Sequence, residues 1–103
     1  MYDPDHFRLD QQVAIVTGGG AGIGRAIART FAGAGAAVVV SDLRPDDADE
    51  AANEIQRSGG RAVAVACDVT EPDGLARLVD TAHERFGSLT TLVSNAGGGG
   101  PKP

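Results

Sequence analysis

Four short apolar runs, separated by segments with helical spacing, constrain this chain more than any other feature. Val13-Ala-Ile-Val16, Ala37-Val-Val-Val40, Ala62-Val-Ala-Val-Ala66 and Leu92-Val93-Ser94 are too short for helices and read as buried strands. From Ile23 the apolar residues recur at Ala26, Ile27, Thr30, Phe31 and Ala34, with Gly33 and Gly35 as a stop. Pro45 suits the first turn of a second helix, Asp46 and Asp47 its positive end, and Gly59-Gly60 its termination. Thr70-Glu-Pro-Asp73 has the spacing of a third helix start, ahead of an apolar face of Leu75, Leu78, Val79, Ala82 and Phe86 and a stop at Gly87. Crossovers of this length cannot form hairpins, so the strands are parallel and the fold class is α/β. The expected strand order is 3-2-1-4. The first two helices then cover one face, and the third alone covers the other. Such sheets are normally clad on both sides, so this one reads as incomplete, with the fourth strand an apolar edge.

The expected organisation is a leader over residues 1–11, a βαβαβαβ unit over 12–97 and a glycine/proline tail over 98–103. Apolar residues make up 42% and charged residues 22%, which argues against a disordered chain. The net charge of −5 and the lack of a basic stripe argue against nucleic-acid partners. Cys67 is the only cysteine, so there is no intrachain disulfide, and it reads as a small buried hydrophobe. His6 and His83 have no ligand spacing around them and read as solvated; no metal site is expected. The leader has no apolar core of a signal peptide, and no stretch has the length of a membrane span, so a cytoplasmic setting is expected.

The turn after the first strand, Thr17-Gly-Gly-Gly-Ala-Gly-Ile-Gly24, carries the chemistry. It does not fit G-x-G-x-x-G, because Ile23 stands where the third glycine would be, and it lacks the lysine and hydroxyl of a P-loop. What fits is Thr17-Gly18-x-x-x-Gly22-Ile23-Gly24. A strand, a glycine turn and a helix in that order let backbone approach a pyrophosphate while helix N–H groups point at it. Asp42, closing the second strand, is placed to accept hydrogen bonds from an adenosine ribose and to repel a 2′-phosphate. It has a second reading as a turn or capping residue. Asp68, after the third strand, either lies near an adenine edge or caps the next helix or the turn. Arg44 could soften that repulsion and Arg25 could touch phosphate, but both read first as solvated surface residues.

These motifs, with Asp68-Val69 and Asn95-Ala96-Gly97, resemble the short-chain dehydrogenase/reductase family over nearly the whole chain. The departure is Ser94, where the family often has a second Asn. The resemblance implies a Rossmann-type doubly wound sheet, bound NAD, and hydride transfer between nicotinamide and an alcohol or carbonyl carbon. It implies that Gly18, Gly22 and Gly24 form the cofactor turn and that Ile23 lies along the pyrophosphate. Asp42-Leu43 would hold the ribose, Asp68-Val69 would flank the adenine, and Asn95, Ala96 and Gly97 would adjoin the cofactor. Arg8-Leu9-Asp10, Val38-Val-Val-Ser-Asp42 and the run Gly97–Gly100 resemble the hydroxysteroid-oxidising members. That implies a steroid or bile-acid substrate, with Gly99 as a substrate contact or else a plain glycine turn. It also implies a homotetrameric parent protein. The family's proton-transfer pair, Tyr-x-x-x-Lys, has no counterpart here: Tyr2 is the only tyrosine and Lys102 the only lysine. No catalytic residue is therefore assigned. Two alternatives stay open, a non-catalytic dinucleotide-binding or sensing module and a truncated product.

Overall fold

The computed structural model describes residues 9–95. Within them the chain alternates β1 (Val13–Thr17), α1 (Gly22–Gly33), β2 (Ala37–Asp42), α2 (Pro45–Arg57), β3 (Arg61–Ala66), α3 (Gly74–Phe86) and β4 (Thr91–Val93). All pairings are parallel, as the crossover lengths require, and the order is β3-β2-β1-β4, as expected. The change of direction falls between β1 and β4, so the turn after β1 lies where a doubly wound sheet opens a crevice.

Alternate residues of the strands feed two separate cores. Val16, Val38, Val40 and Ala62 pack against Ala28 and Ala32 of α1 and Ala48, Ala51, Ala52 and Ile55 of α2. Ile15, Val39 and Val63 face the other way, onto Leu78 and Ala82 of α3. Leu92 is in register with Ile15 and so shares the α3 face, yet it stays about half exposed. Among the described residues α3 is the only helix on that face.

The helix interiors differ from the sequence expectation in two places. The α1 stripe is not Ile23, Ala26 and Thr30, all of which are exposed; it is Gly24, Ala28 and Ala32, with Ile27 and Phe31 half-buried beside it. Small residues let the helix axis approach the sheet closely, and a search for large apolar side chains passes over them. The expected cap at Thr70 is also absent. The α3 helix begins at Gly74 after Asp73, whose side chain makes no cap bond. The stops are as expected, with Gly87 in the left-handed region at φ 86° and its N–H bonded to the His83 carbonyl at 2.9 Å.

Two polar clasps tie β4 to β1. At one end the Val13 N–H donates to Thr90 Oγ1 at 2.8 Å, and the Thr90 N–H returns a bond to the Val13 carbonyl at 2.9 Å. At the other, the Asn95 N–H donates to Thr17 Oγ1 at 2.9 Å, and that hydroxyl donates to the Val93 carbonyl at 3.3 Å. A three-residue strand carries few ladder bonds, so these side-chain bonds fix its register.

Candidate functional site

The strand ends and the turns that follow them enclose one groove of about 620 Å³ at the C-terminal edge of the sheet. Gly18, Gly22 and Ile23 line it from the first turn, Asp42 and Leu43 from the second, Asp68 and Val69 from the third, and Asn95 from beyond β4. The fold thus gathers residues that are as much as 77 positions apart. Ile23 and Leu43 are 74% and 67% exposed, far more than large apolar side chains usually are, and both stand at the groove.

At its N-terminus α1 is left bare. Its first backbone bond runs from the Arg25 N–H to the Ala21 carbonyl at 3.3 Å, so the N–H groups of Gly22, Ile23 and Gly24 have no partner inside the helix. Ala21 offers no side-chain cap, and the first turn holds no acid. The α2 helix shows the contrast, since Asp46 and Asp47 occupy its positive end. Gly22 stands at φ +58° with no atom within 4 Å of where a Cβ would project. Backbone amides, a positive dipole end and open space therefore coincide at one point, and that combination receives anions.

Gly24 plays a different part. It does not line the groove; a Cβ there would collide with the Gly18 carbonyl oxygen and lie 2.6 Å from Asn95 Nδ2. It lets α1 start directly against the first turn. Asn95 Nδ2 in turn donates to the Gly18 carbonyl at 3.4 Å.

Asp42 is bound by two backbone donors, the Gly20 N–H to Oδ2 at 3.0 Å and the Arg44 N–H to Oδ1 at 3.1 Å. It is both a turn residue and a groove carboxylate, so the two sequence readings are not exclusive. Asp68 Oδ1 accepts from Thr70 Oγ1 at 2.6 Å and from the Thr70 N–H at 2.9 Å. The Thr70 hydroxyl first and its N–H second hold the Asp68 carboxyl below its ordinary range. Asp68 thus orders the turn, and Thr70, expected at a helix start, serves Asp68 instead.

Arg25 is not a free surface residue. Its Nε meets Glu54 at 3.0 Å and its Nη1 meets Glu50 at 3.2 Å, while Arg29 reaches Glu54 at 3.4 Å, so the cluster joins α1 to α2. Those hydrogen bonds raise the Arg25 pKa, with Glu54 the leading cause, and lower that of Glu54, with Arg25 the leading cause. Arg44 is 81% exposed, and its Nε lies 3.6 Å from Asp47 Oδ2. Cys67 is buried as expected but also reaches the groove, as does Ser41, whose Oγ is buried without a hydrogen-bond partner. Neither Ser41 nor Asp47 carried a sequence signal for this site. Ala96, Gly97 and Gly99 lie outside the described residues. Among the described residues no helix is long and apolar enough to cross a membrane.

Comparison with known proteins gives consistent results. A family model described as short chain dehydrogenase matches residues 12–103. The 7alpha-hydroxysteroid dehydrogenase of Escherichia coli strain K12 is 53% identical over 103 residues, which is 100% of this chain and 40% of that protein. The cis-4-hydroxycyclohexanecarboxylate dehydrogenase of Sinomonas cyclohexanicum is 48% identical over 92 residues, 89% of this chain and 36% of that protein. A solved 7 alpha-hydroxysteroid dehydrogenase complexed with NADH and 7-oxo glycochenodeoxycholic acid superposes with a TM-score of 0.91 at 53% identity, covering 100% of this chain and 40% of that one. The chain thus spans well under half the length of the relatives it matches.

Proposed function

We propose that this chain, which belongs to the short-chain dehydrogenase family, is the cofactor-binding part of an NAD-dependent oxidoreductase acting on a secondary alcohol. The observation that carries the proposal is the bare α1 N-terminus beside Asp42 in a single groove. The residues present fit the cofactor. The amides of Gly22 and Ile23 would face its pyrophosphate, and the carboxylate of Asp42 would accept from the adenosine ribose hydroxyls. Leu43 and Val69 would border the adenosine, with Asp68 at the adenine edge, and Ile23 would lie along the phosphates. Gly18, Gly24 and Asn95 would shape the turn, and Ala96 and Gly97 are proposed to adjoin the cofactor. The cofactor, once bound, supplies the hydride acceptor.

The favoured substrate of the whole protein is a hydroxysteroid such as a bile acid, and Gly99 is the proposed contact. The relative solved with NADH and a 7-oxo bile acid supports this reading. A cytoplasmic homotetramer is proposed for the parent protein. The tyrosine–lysine pair for proton transfer is not among these 103 residues, so the chain alone is expected to bind cofactor without turning over substrate. Titration of the purified chain with NADH tests this, because bound NADH fluoresces more strongly. Saturable enhancement is expected. Its absence at millimolar cofactor would overturn the reading, and bile-acid oxidation by the purified chain would overturn the expected inactivity.

A further inference from the structure

We propose that Asp47, in the first turn of α2, is a cofactor-specificity residue that acts by occupying Arg44. This rests on the dinucleotide reading above. Asp47 lines the groove together with Asp42, Asp68 and Arg44, and Arg44 is the only Lys or Arg among the described residues lining it. A dinucleotide carrying a 2′-phosphate would need that guanidinium, since Arg pairs with phosphate through a planar set of donors.

Two contacts set where Arg44 sits. Its backbone N–H is tied to Asp42 Oδ1 at 3.1 Å, which fixes where its side chain departs. Its Nε then lies 3.6 Å from Asp47 Oδ2. Asp47 is itself held in place, because the glycine turn rests on it: a Cβ at Gly20 would lie 2.8 Å from both the Asp47 carbonyl carbon and Cβ. Gly20 therefore stands between two acids, hydrogen-bonded to Asp42 and packed on Asp47. A 2′-phosphate brought to Asp42 would meet a second carboxylate and a guanidinium that has that carboxylate 3.6 Å from its Nε. The acid at the strand end repels the phosphate, and the acid on the helix withholds the group that would compensate.

The test is fluorescence titration of the 103-residue chain, its Asp47→Asn variant and the Asp47→Asn/Arg44→Gln double variant with NADH and with NADPH at low salt. The Arg44–Asp47 pair is exposed, so the expected gain is modest: Asp47→Asn tightens NADPH binding about fivefold relative to NADH. The double variant is expected to lose that gain. Unchanged NADPH affinity in Asp47→Asn would overturn the proposal, as would a gain that survives removal of Arg44 or an equal change for both nucleotides. If Asp47→Asn does not give a native circular dichroism spectrum, Asp47→Ser carries the same expectations, with Asp46 retained at the helix start. Failure of the unaltered chain to bind either nucleotide would overturn the cofactor reading and this inference with it. Binding of NADH with no response at position 47 would overturn the inference alone.

Discussion

Asp42 holds Gly20: its Oδ2 accepts the Gly20 backbone N–H at 3.0 Å, so the acid at the end of β2 fixes the turn at the end of β1. With Oδ1 engaged by the Arg44 N–H, the carboxylate is oriented before any ligand arrives. Pre-oriented groups lose less freedom on binding. Asp42→Ala is therefore expected to act twice. It removes the proposed acceptor for the ribose, so NADH binding should weaken by about 1.5–3 kcal/mol and any preference for NADH over NADPH should narrow. It also frees the Gly20 amide, whose hydrogen exchange should quicken in NMR. An unchanged Gly20 exchange rate would show that the turn does not depend on Asp42.

The two glycines flanking Ile23 should respond differently to alanine. At Gly24 the added methyl meets the Gly18 carbonyl oxygen and Asn95, so Gly24→Ala is overpacked and expected to cost about 1–3 kcal/mol of stability. At Gly22 the space is open but φ is +58°, and the cost is backbone strain of about 1–2 kcal/mol. Denaturant unfolding measures both. Cofactor affinity separates them further, since a methyl at Gly22 also projects into the space assigned to the phosphates. Equal affinities for the two variants would contradict that assignment.

Ser41 offers a change in the opposite direction. Its hydroxyl is buried and unpartnered, and burying such a group without a bond carries a penalty. Ser41→Ala removes the hydroxyl and leaves almost no void. The variant is expected to be as stable as the parent chain or more so, by up to about 1 kcal/mol. A clear loss of stability on thermal unfolding would mean that the hydroxyl has a partner in solution.

The turn after β3 should show itself in an acid titration. Asp68 is held below its ordinary carboxyl pKa by the Thr70 hydroxyl and N–H. The stabilisation linked to that depressed value is fully present above the ordinary carboxylate range and is lost as pH falls through the lowered one. Thr70→Val removes the hydroxyl, the larger cause, so the Asp68 carboxyl should titrate at higher pH in a carbon-detected NMR experiment. An unmoved midpoint would count against this account.

Much of this architecture was legible because it depends on chain-local signals. Runs of apolar residues, glycine stops, and Pro45 with two acids state the elements, and crossover length dictates parallel pairing. The groove was legible where a glycine turn and a strand-end acid build it, at Gly18, Gly22 and Asp42. Three features were not. The α1 stripe is carried by Gly24, Ala28 and Ala32, which give little hydropathy signal. Thr70 mimics a helix cap but donates to Asp68, because both the turn and the cap use the same hydroxyl chemistry. Asp47 looks in sequence like an ordinary acid at a helix start. Only the packing of Gly20 onto it reveals a second neighbour.

The hydroxyl of Thr17 is a small hinge pin with a long reach. It receives the Asn95 amide and donates to the Val93 carbonyl, while the Asn95 side chain touches the turn at Gly18 and crowds Gly24. The edge strand β4 and the mouth of α1 therefore share one pair of side chains. Losing that one hydroxyl would loosen two distant stretches of chain at once.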